Sequence, residues 1–199
     1  MKIKGNSVSS AEPEDPRKDK RRVNIAVYCG SSPGNKEIFC EDIKKLGNWI
    51  GANGHTLIYG GCNTGLMGTI ADSVLEADGK VIGVLPDVPV IKARTHGGLT
   101  EYIETDTMAE RKTKMIELSD AFIALPGGIG TYDEITEILS LSSLRIVKGP
   151  VIFYNTEGYY DIMKALLDNI VDNGFGKDEY FSRVLFSDDI KEIAKCIEG

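Results

Sequence analysis

From Val23 onward, short runs rich in β-branched and aromatic residues alternate with longer stretches whose apolar positions recur three and four residues apart. The short runs at 24–29, 56–59, 81–85, 121–125, 151–154 and 184–186 read as strands, with 101–105 as a weaker one. The longer stretches predict helices from 33 to about 53, from about 65 to 77, and over 108–118 and 131–144. Two more are expected near 159–172 and over 188–196. Strands that alternate with helices build βαβ units, whose crossovers are right-handed and whose sheet is parallel. The run Ala121-Phe122-Ile123-Ala124-Leu125 has no polar position, as expected of a strand covered on both faces. The expected fold is therefore a single doubly wound α/β domain over 23–199, with a mostly parallel sheet between two layers of helices. Residues 1–22 hold almost no apolar side chains and cannot offset the entropy cost of ordering, so they are expected as a flexible polar tail.

Composition narrows the function. The 199 residues are 42% hydrophobic and 27% charged, with a net charge of −7. A surface of that sign does not suit wrapping nucleic acid or coating an anionic membrane. It leaves room for a small phosphorylated ligand, which needs only local positive potential. No apolar run approaches the ~20 residues of a membrane helix, and the first residues lack a signal-peptide core. A cytoplasmic location is expected, with Cys29, Cys40, Cys62 and Cys196 reduced. Cys29 and Cys62 fall near the ends of neighbouring strands and read as small buried apolar residues. His55 and His96 are too few and too isolated to suggest a metal site. His55 reads as structural, and His96 as part of a loop over the ligand site.

Ligands of doubly wound sheets bind beyond the carboxyl ends of the strands. Three turns there carry unusual chemistry. The first, Tyr28-Cys29-Gly30-Ser31-Ser32-Pro33-Gly34, offers Ser32 as a helix cap before Pro33, with free hydroxyls and amides toward the cleft. The second, Gly60-Gly61-Cys62-Asn63-Thr64-Gly65-Leu66-Met67-Gly68, is rich in glycine but lacks the Lys of a P-loop. The third is the sharpest: Leu125-Pro126-Gly127-Gly128-Ile129-Gly130-Thr131-Tyr132-Asp133-Glu134. A buried strand feeds a glycine turn that opens a helix, and unpaired N–H groups at a helix start bind phosphate. Asp133 stands where a dinucleotide fingerprint needs its last glycine. Thr131-x-x-Glu134 also reads as a capping box. Against that reading, a carboxylate beside a bound phosphate is repelled, which turns Glu134 toward the sugar instead. Farther back, Met108, Arg111 and Met115 share one helix face. That face is either a core stripe with Arg111 reaching out to solvent, or an apolar base pocket with a guanidinium at its mouth.

Cys29-Gly30-Ser31-Ser32, Gly60-Gly61 with Gly65-Leu66-Met67-Gly68, Met108 with Arg111-Lys112, and Pro126-Gly127-Gly128-x-Gly130-Thr131-x-x-Glu134 occur in that order. With Gly158-Tyr159-Tyr160-Asp161, they make the chain resemble the Lonely Guy family of cytokinin-activating phosphoribohydrolases, often labelled lysine decarboxylases. The resemblance implies a Rossmann-like homodimer that hydrolyses the N-glycosidic bond of N6-modified adenosine 5′-monophosphates, with no metal or redox cofactor. It places catalysis on Arg111 and Glu134. It places nucleotide binding on Ser31, Gly65, Met108, Lys112, Gly127, Gly128, Ile129, Gly130, Thr131, Tyr132 and Asp133. Three positions depart from the family pattern: Cys62 for glycine, Ala109 for histidine, and Ala93 for a substrate-contacting glutamate. The rival readings are a non-catalytic nucleotide or cofactor carrier on the same fold, and a pyridoxal-dependent decarboxylase. The second needs a Schiff-base lysine that does not stand out here.

Overall fold

The computed structural model describes residues 22–199, so the tail expected over 1–22 lies outside the described residues but for Arg22. Seven strands form one sheet: β1 Asn24–Tyr28, β2 Thr56–Tyr59, β3 Lys80–Pro86, β4 Glu101–Thr105, β5 Ala121–Ala124, β6 Val151–Tyr154 and β7 Val184–Ser187. They lie in the order β4-β3-β2-β1-β5-β6-β7, and every neighbouring pair is parallel. Seven helices connect or follow them: α1 Glu37–Ala52, α2 Gly65–Glu76, α3 Pro89–Lys92, α4 Met108–Leu118, α5 Ile129–Ser143, α6 Asp161–Asp172 and α7 Ile190–Glu198.

The two-residue period of a strand divides the core. Ile25, Val27 and Cys29 face one layer, with Ile43 and Leu46 of α1, Ile70 and Val74 of α2, and Ile193 of α7. Ala26 and Tyr28 face the other, with Met115 of α4, Ile135 and Ile138 of α5, and Met163 of α6. The order in which strands are added to the sheet reverses between β1 and β5. After β1 the chain steps outward through β2, β3 and β4, then returns to place β5 on the other flank of β1. The carboxyl ends of β1 and β5 therefore part at a topological switch point, where the ligand crevice of such sheets opens.

Several helix starts differ from the sequence pattern. α1 begins at Glu37, not at Pro33, and Ser32 caps nothing. Gly34 sits at φ +79°, a left-handed conformation that no helix can run through. α5 begins at Ile129 with Gly128 as its N-cap, so Thr131 lies inside the helix and is not its cap. α7 is capped by Asp189, whose carboxylate accepts from the Lys191 amide at 2.8 Å. The short α3 lies in a stretch with no helical period to read. His55 is structural, as its place before β2 suggests: its Nδ1 accepts from the Val23 amide at 3.2 Å, at the amino end of β1.

Candidate functional site

A cavity of about 420 Å³ occupies the switch point. The ends of β1, β2 and β3 form one side, with α3, and the start of α5 forms the other, with Arg111 of α4 and Glu134 of α5 between them. A space of this size suits a small organic ligand.

The turn from β5 into α5 is held from several sides. The Gly30 amide donates to the Pro126 carbonyl at 3.1 Å, joining the β1 and β5 turns. The Tyr159 hydroxyl donates to the Gly127 carbonyl and the Tyr160 hydroxyl to the Leu125 carbonyl, each at 2.6 Å. The Gly158-Tyr159-Tyr160 motif thus braces the turn from the start of α6. Glycine is required at 127, where a Cβ would stand 2.9 Å from the Gly30 nitrogen and collide with Thr131. At Gly128 and Gly130 the reason differs: a Cβ at either would meet nothing within 4 Å. Both residues line the cavity, so a side chain there would take up ligand space. The Thr131 amide bonds the Gly128 carbonyl at 3.0 Å. The amides of Ile129 and Gly130 come earlier in the helix, where no helical carbonyl is available, and they carry the positive end of the α5 dipole. The helix start therefore comes two residues earlier than the sequence pattern placed it.

Arg111 and Glu134 meet at the cavity wall. Arg111 Nη1 lies 2.7 Å from Glu134 Oε1, with the side chains 9% and 10% exposed. Arg111 Nε also donates to the Val84 carbonyl at 3.3 Å. Glu134 therefore pairs with Arg111 at the cavity wall and forms no capping box, and Arg111 is buried and does not reach out to solvent. Met115 is fully buried in the core while Met108 is 43% exposed and lines no part of the cavity, so the predicted methionine stripe divides. Gly60 makes room for the guanidinium: a Cβ there would collide with Arg111 and stand 2.6 Å from Met67 Cε.

Burial pushes the Glu134 carboxyl above the usual glutamate range, and the adjoining Arg111 draws it part of the way back. A carboxyl with a raised pKa in the folded protein favours folding at low pH, and that contribution is lost as pH rises through the folded value. Activity runs in the opposite direction if the carboxylate is the working form. The expected acid limb of kcat/KM then falls with a midpoint above ~4.3, the ordinary glutamate value. A pH–rate profile checks this, and a limb that persists in Glu134→Gln would assign it to another group.

Of the other residues predicted for the site, Ser31, Gly128, Ile129, Gly130 and Thr131 line the cavity. Gly127 shapes the turn from behind. Gly65, at φ +58°, packs against the Ser31 backbone and not the cavity. Lys112 is committed to Asp133 at 3.0 Å and Glu137 at 2.8 Å, tying α4 to α5. Tyr132 packs on the Tyr160 ring, with centroids 5.8 Å apart. Gly65, Lys112, Gly127, Tyr132 and Asp133 do not line the cavity. His96 does not either: its Nδ1 accepts from the Gly98 amide at 3.1 Å and its Nε2 lies 2.9 Å from Asp72. Cys29 and Cys62 are both buried, free and at the cavity wall. Ala93 ends α3, and the adjacent Arg94 lines the cavity. Sequence reasoning passed over Tyr28, Met67 and Arg94. Tyr28 and Met67 stand within the first and second glycine turns, though not among the predicted site residues, while nothing around Arg94 sets it apart from a surface arginine.

Fold and site together define a doubly wound α/β protein with a buried acid–guanidinium pair in a cavity that the start of α5 also lines. A family profile described as possible lysine decarboxylase matches residues 67–197. A probable cytokinin riboside 5′-monophosphate phosphoribohydrolase of Oryza sativa subsp. japonica is 37% identical over 193 residues, covering 97% of this chain and 86% of that one. The cytokinin riboside 5′-monophosphate phosphoribohydrolase of Rhodococcoides fascians is 37% identical over 177 residues, covering 88% and 89%. The chain belongs to this phosphoribohydrolase family. Among solved structures, the molybdenum cofactor binding protein of Rippkaea orientalis shares the fold, with a TM-score of 0.65 at 20% identity over 88% of this chain and 94% of that one.

Proposed function

We propose that the protein hydrolyses the N-glycosidic bond of adenosine 5′-monophosphates, N6-modified ones included, to free base and ribose 5-phosphate. The observation that carries this reading is the Arg111–Glu134 pair at 2.7 Å, buried in the cavity that the start of α5 also lines. The Ile129 and Gly130 amides receive the 5′-phosphate, whose binding energy orients the sugar. As the bond from the anomeric carbon to the base nitrogen breaks, positive charge grows on the ribose. Glu134 stabilises that charge, and water supplies the hydroxyl that replaces the base. The departing base nitrogen takes up a proton. Arg111 keeps its own proton and acts by charge and position, fixing Oε1 of Glu134 and leaving Oε2 free for the substrate.

The names of the relatives agree with this chemistry. A pyridoxal-dependent decarboxylase would need a lysine in the site, and among the described residues no lysine lines the cavity. The likeness to a cofactor-binding protein is one of fold, and a carrier has no need of a buried acid–guanidinium pair. The homodimer belongs to the same proposal: Met108 and Ile129, on α4 and α5, are 43% and 87% exposed and suit an apolar interface.

The test is a panel of nucleotides, with released base and ribose 5-phosphate quantified by chromatography. Base release from monophosphates but not from the matching nucleosides is expected. Equal hydrolysis of adenosine and its monophosphate, or no release from any nucleotide, would overturn the reading. Gly130→Val is expected to raise KM for the monophosphate by about tenfold or more, because its side chain enters the phosphate space while the fold has room for it. An unchanged KM would place the phosphate elsewhere.

A further inference from the structure

We infer that the Tyr28 hydroxyl and Oε2 of Glu134 together hold one hydroxyl-bearing oxygen, either of a ribose hydroxyl or of the attacking water. This rests on the hydrolase reading above. Tyr28 is the last residue of β1, and strand alternation turns it toward the α4–α5 layer that supplies Arg111 and Glu134. It is 3% exposed and lines the same cavity as that pair. Its hydroxyl makes no hydrogen bond among the described residues, whereas the hydroxyls of Tyr159 and Tyr160 are both taken by backbone carbonyls. Buried hydroxyls are ordinarily satisfied, so one left unpaired on a residue that lines a ligand cavity is set to be satisfied from within it. Glu134 shows the matching deficit. Oε1 is taken by Arg111, and Oε2 has no partner among the described residues.

The two groups are chemically complementary. Burial, with the Glu134 charge beside it, pushes the phenol well above its usual pKa, so it stays protonated and donates. Glu134 when ionised only accepts. An oxygen that accepts from Tyr28 and donates to Glu134 satisfies both at once, and water and a ribose hydroxyl can each do so. A phenylalanine would fill the wall equally well but could not make that bridge.

The experiment compares the full chain with Tyr28→Phe on adenosine 5′-monophosphate and on its 2′-deoxy and 3′-deoxy forms. An unchanged melting temperature and a kcat lowered by about tenfold on the parent nucleotide are expected. If a ribose hydroxyl is held, the variant loses the discrimination against one deoxy form; if water is held, kcat falls by one factor on all three substrates. Wild-type kcat with wild-type discrimination would overturn the inference. Calorimetric binding of adenosine 5′-monophosphate separates this from the hydrolase reading. Were the wild type to bind it without releasing base, the hydrolase reading fails. A weaker affinity in Tyr28→Phe would then still uphold the bridge, and an equal one would refute it.

Discussion

Glu134→Gln is expected to lower kcat for base release by about two orders of magnitude or more, and Arg111→Ala by a similar factor. A hundredfold loss corresponds to about 2.7 kcal/mol of transition-state stabilisation. The amide keeps the size and one acceptor of Glu134 but not the charge that meets the developing cation. Its effect should therefore fall on kcat, with KM little changed. Arg111→Ala has a second consequence. The Glu134 side chain is 10% exposed, and without its guanidinium partner it is a buried, uncompensated charge. Breaking such a pair typically costs about 3–5 kcal/mol of stability, or raises the pKa until the carboxyl takes up a proton. Melting curves and single-turnover rates on the same preparations distinguish lost folding from lost chemistry. A folded Glu134→Gln protein with an unchanged rate would remove Glu134 from the mechanism.

The second large effect is expected at a residue with no chemistry of its own. Gly60→Ala places a methyl group where the Arg111 guanidinium lies and 2.6 Å from Met67 Cε. Met67 can yield, since its thioether chain is flexible. Arg111 cannot yield without losing Glu134 or the Val84 carbonyl, and misplacement of about 1 Å in such a constellation can cost a hundredfold. The rate should therefore fall to near that of Arg111→Ala, while phosphate binding at α5 persists. Adding Arg111→Ala to Gly60→Ala should cost little more, because both act on one interaction. Independent, multiplying losses in the double variant would show that Gly60 acts by another route.

The alternation of strands and helices was legible because it is local: periods of two and of about 3.6 residues report which faces will be buried. All seven strands stand where that pattern placed them, to within a residue or two. The glycine turn at 126–131 was legible for the same reason, since a strand, three glycines and a helix are contiguous in the chain. Helix starts were less so. A proline at 33 suggests a beginning, but the left-handed Gly34 beside it prevents one. At α5 the helix starts on Ile129, so a spacing that reads as a capping box holds no cap.

By itself, then, the sequence determined the alternating architecture, the buried central strand and the glycine turn that opens α5, because each depends on residues adjacent in the chain. The tertiary structure decided what those pieces do together. β5 lies beside β1 although some 90 residues separate them, and only that adjacency opens the cleft and brings Tyr28, Arg111 and Glu134 to one cavity. The same packing withdrew Lys112 into ion pairs, left Met108 in solvent and brought Arg94 to the cavity wall. Which side chain meets which partner depends on strand order and on the free volume around each group, and neither has a period that a linear pattern can carry.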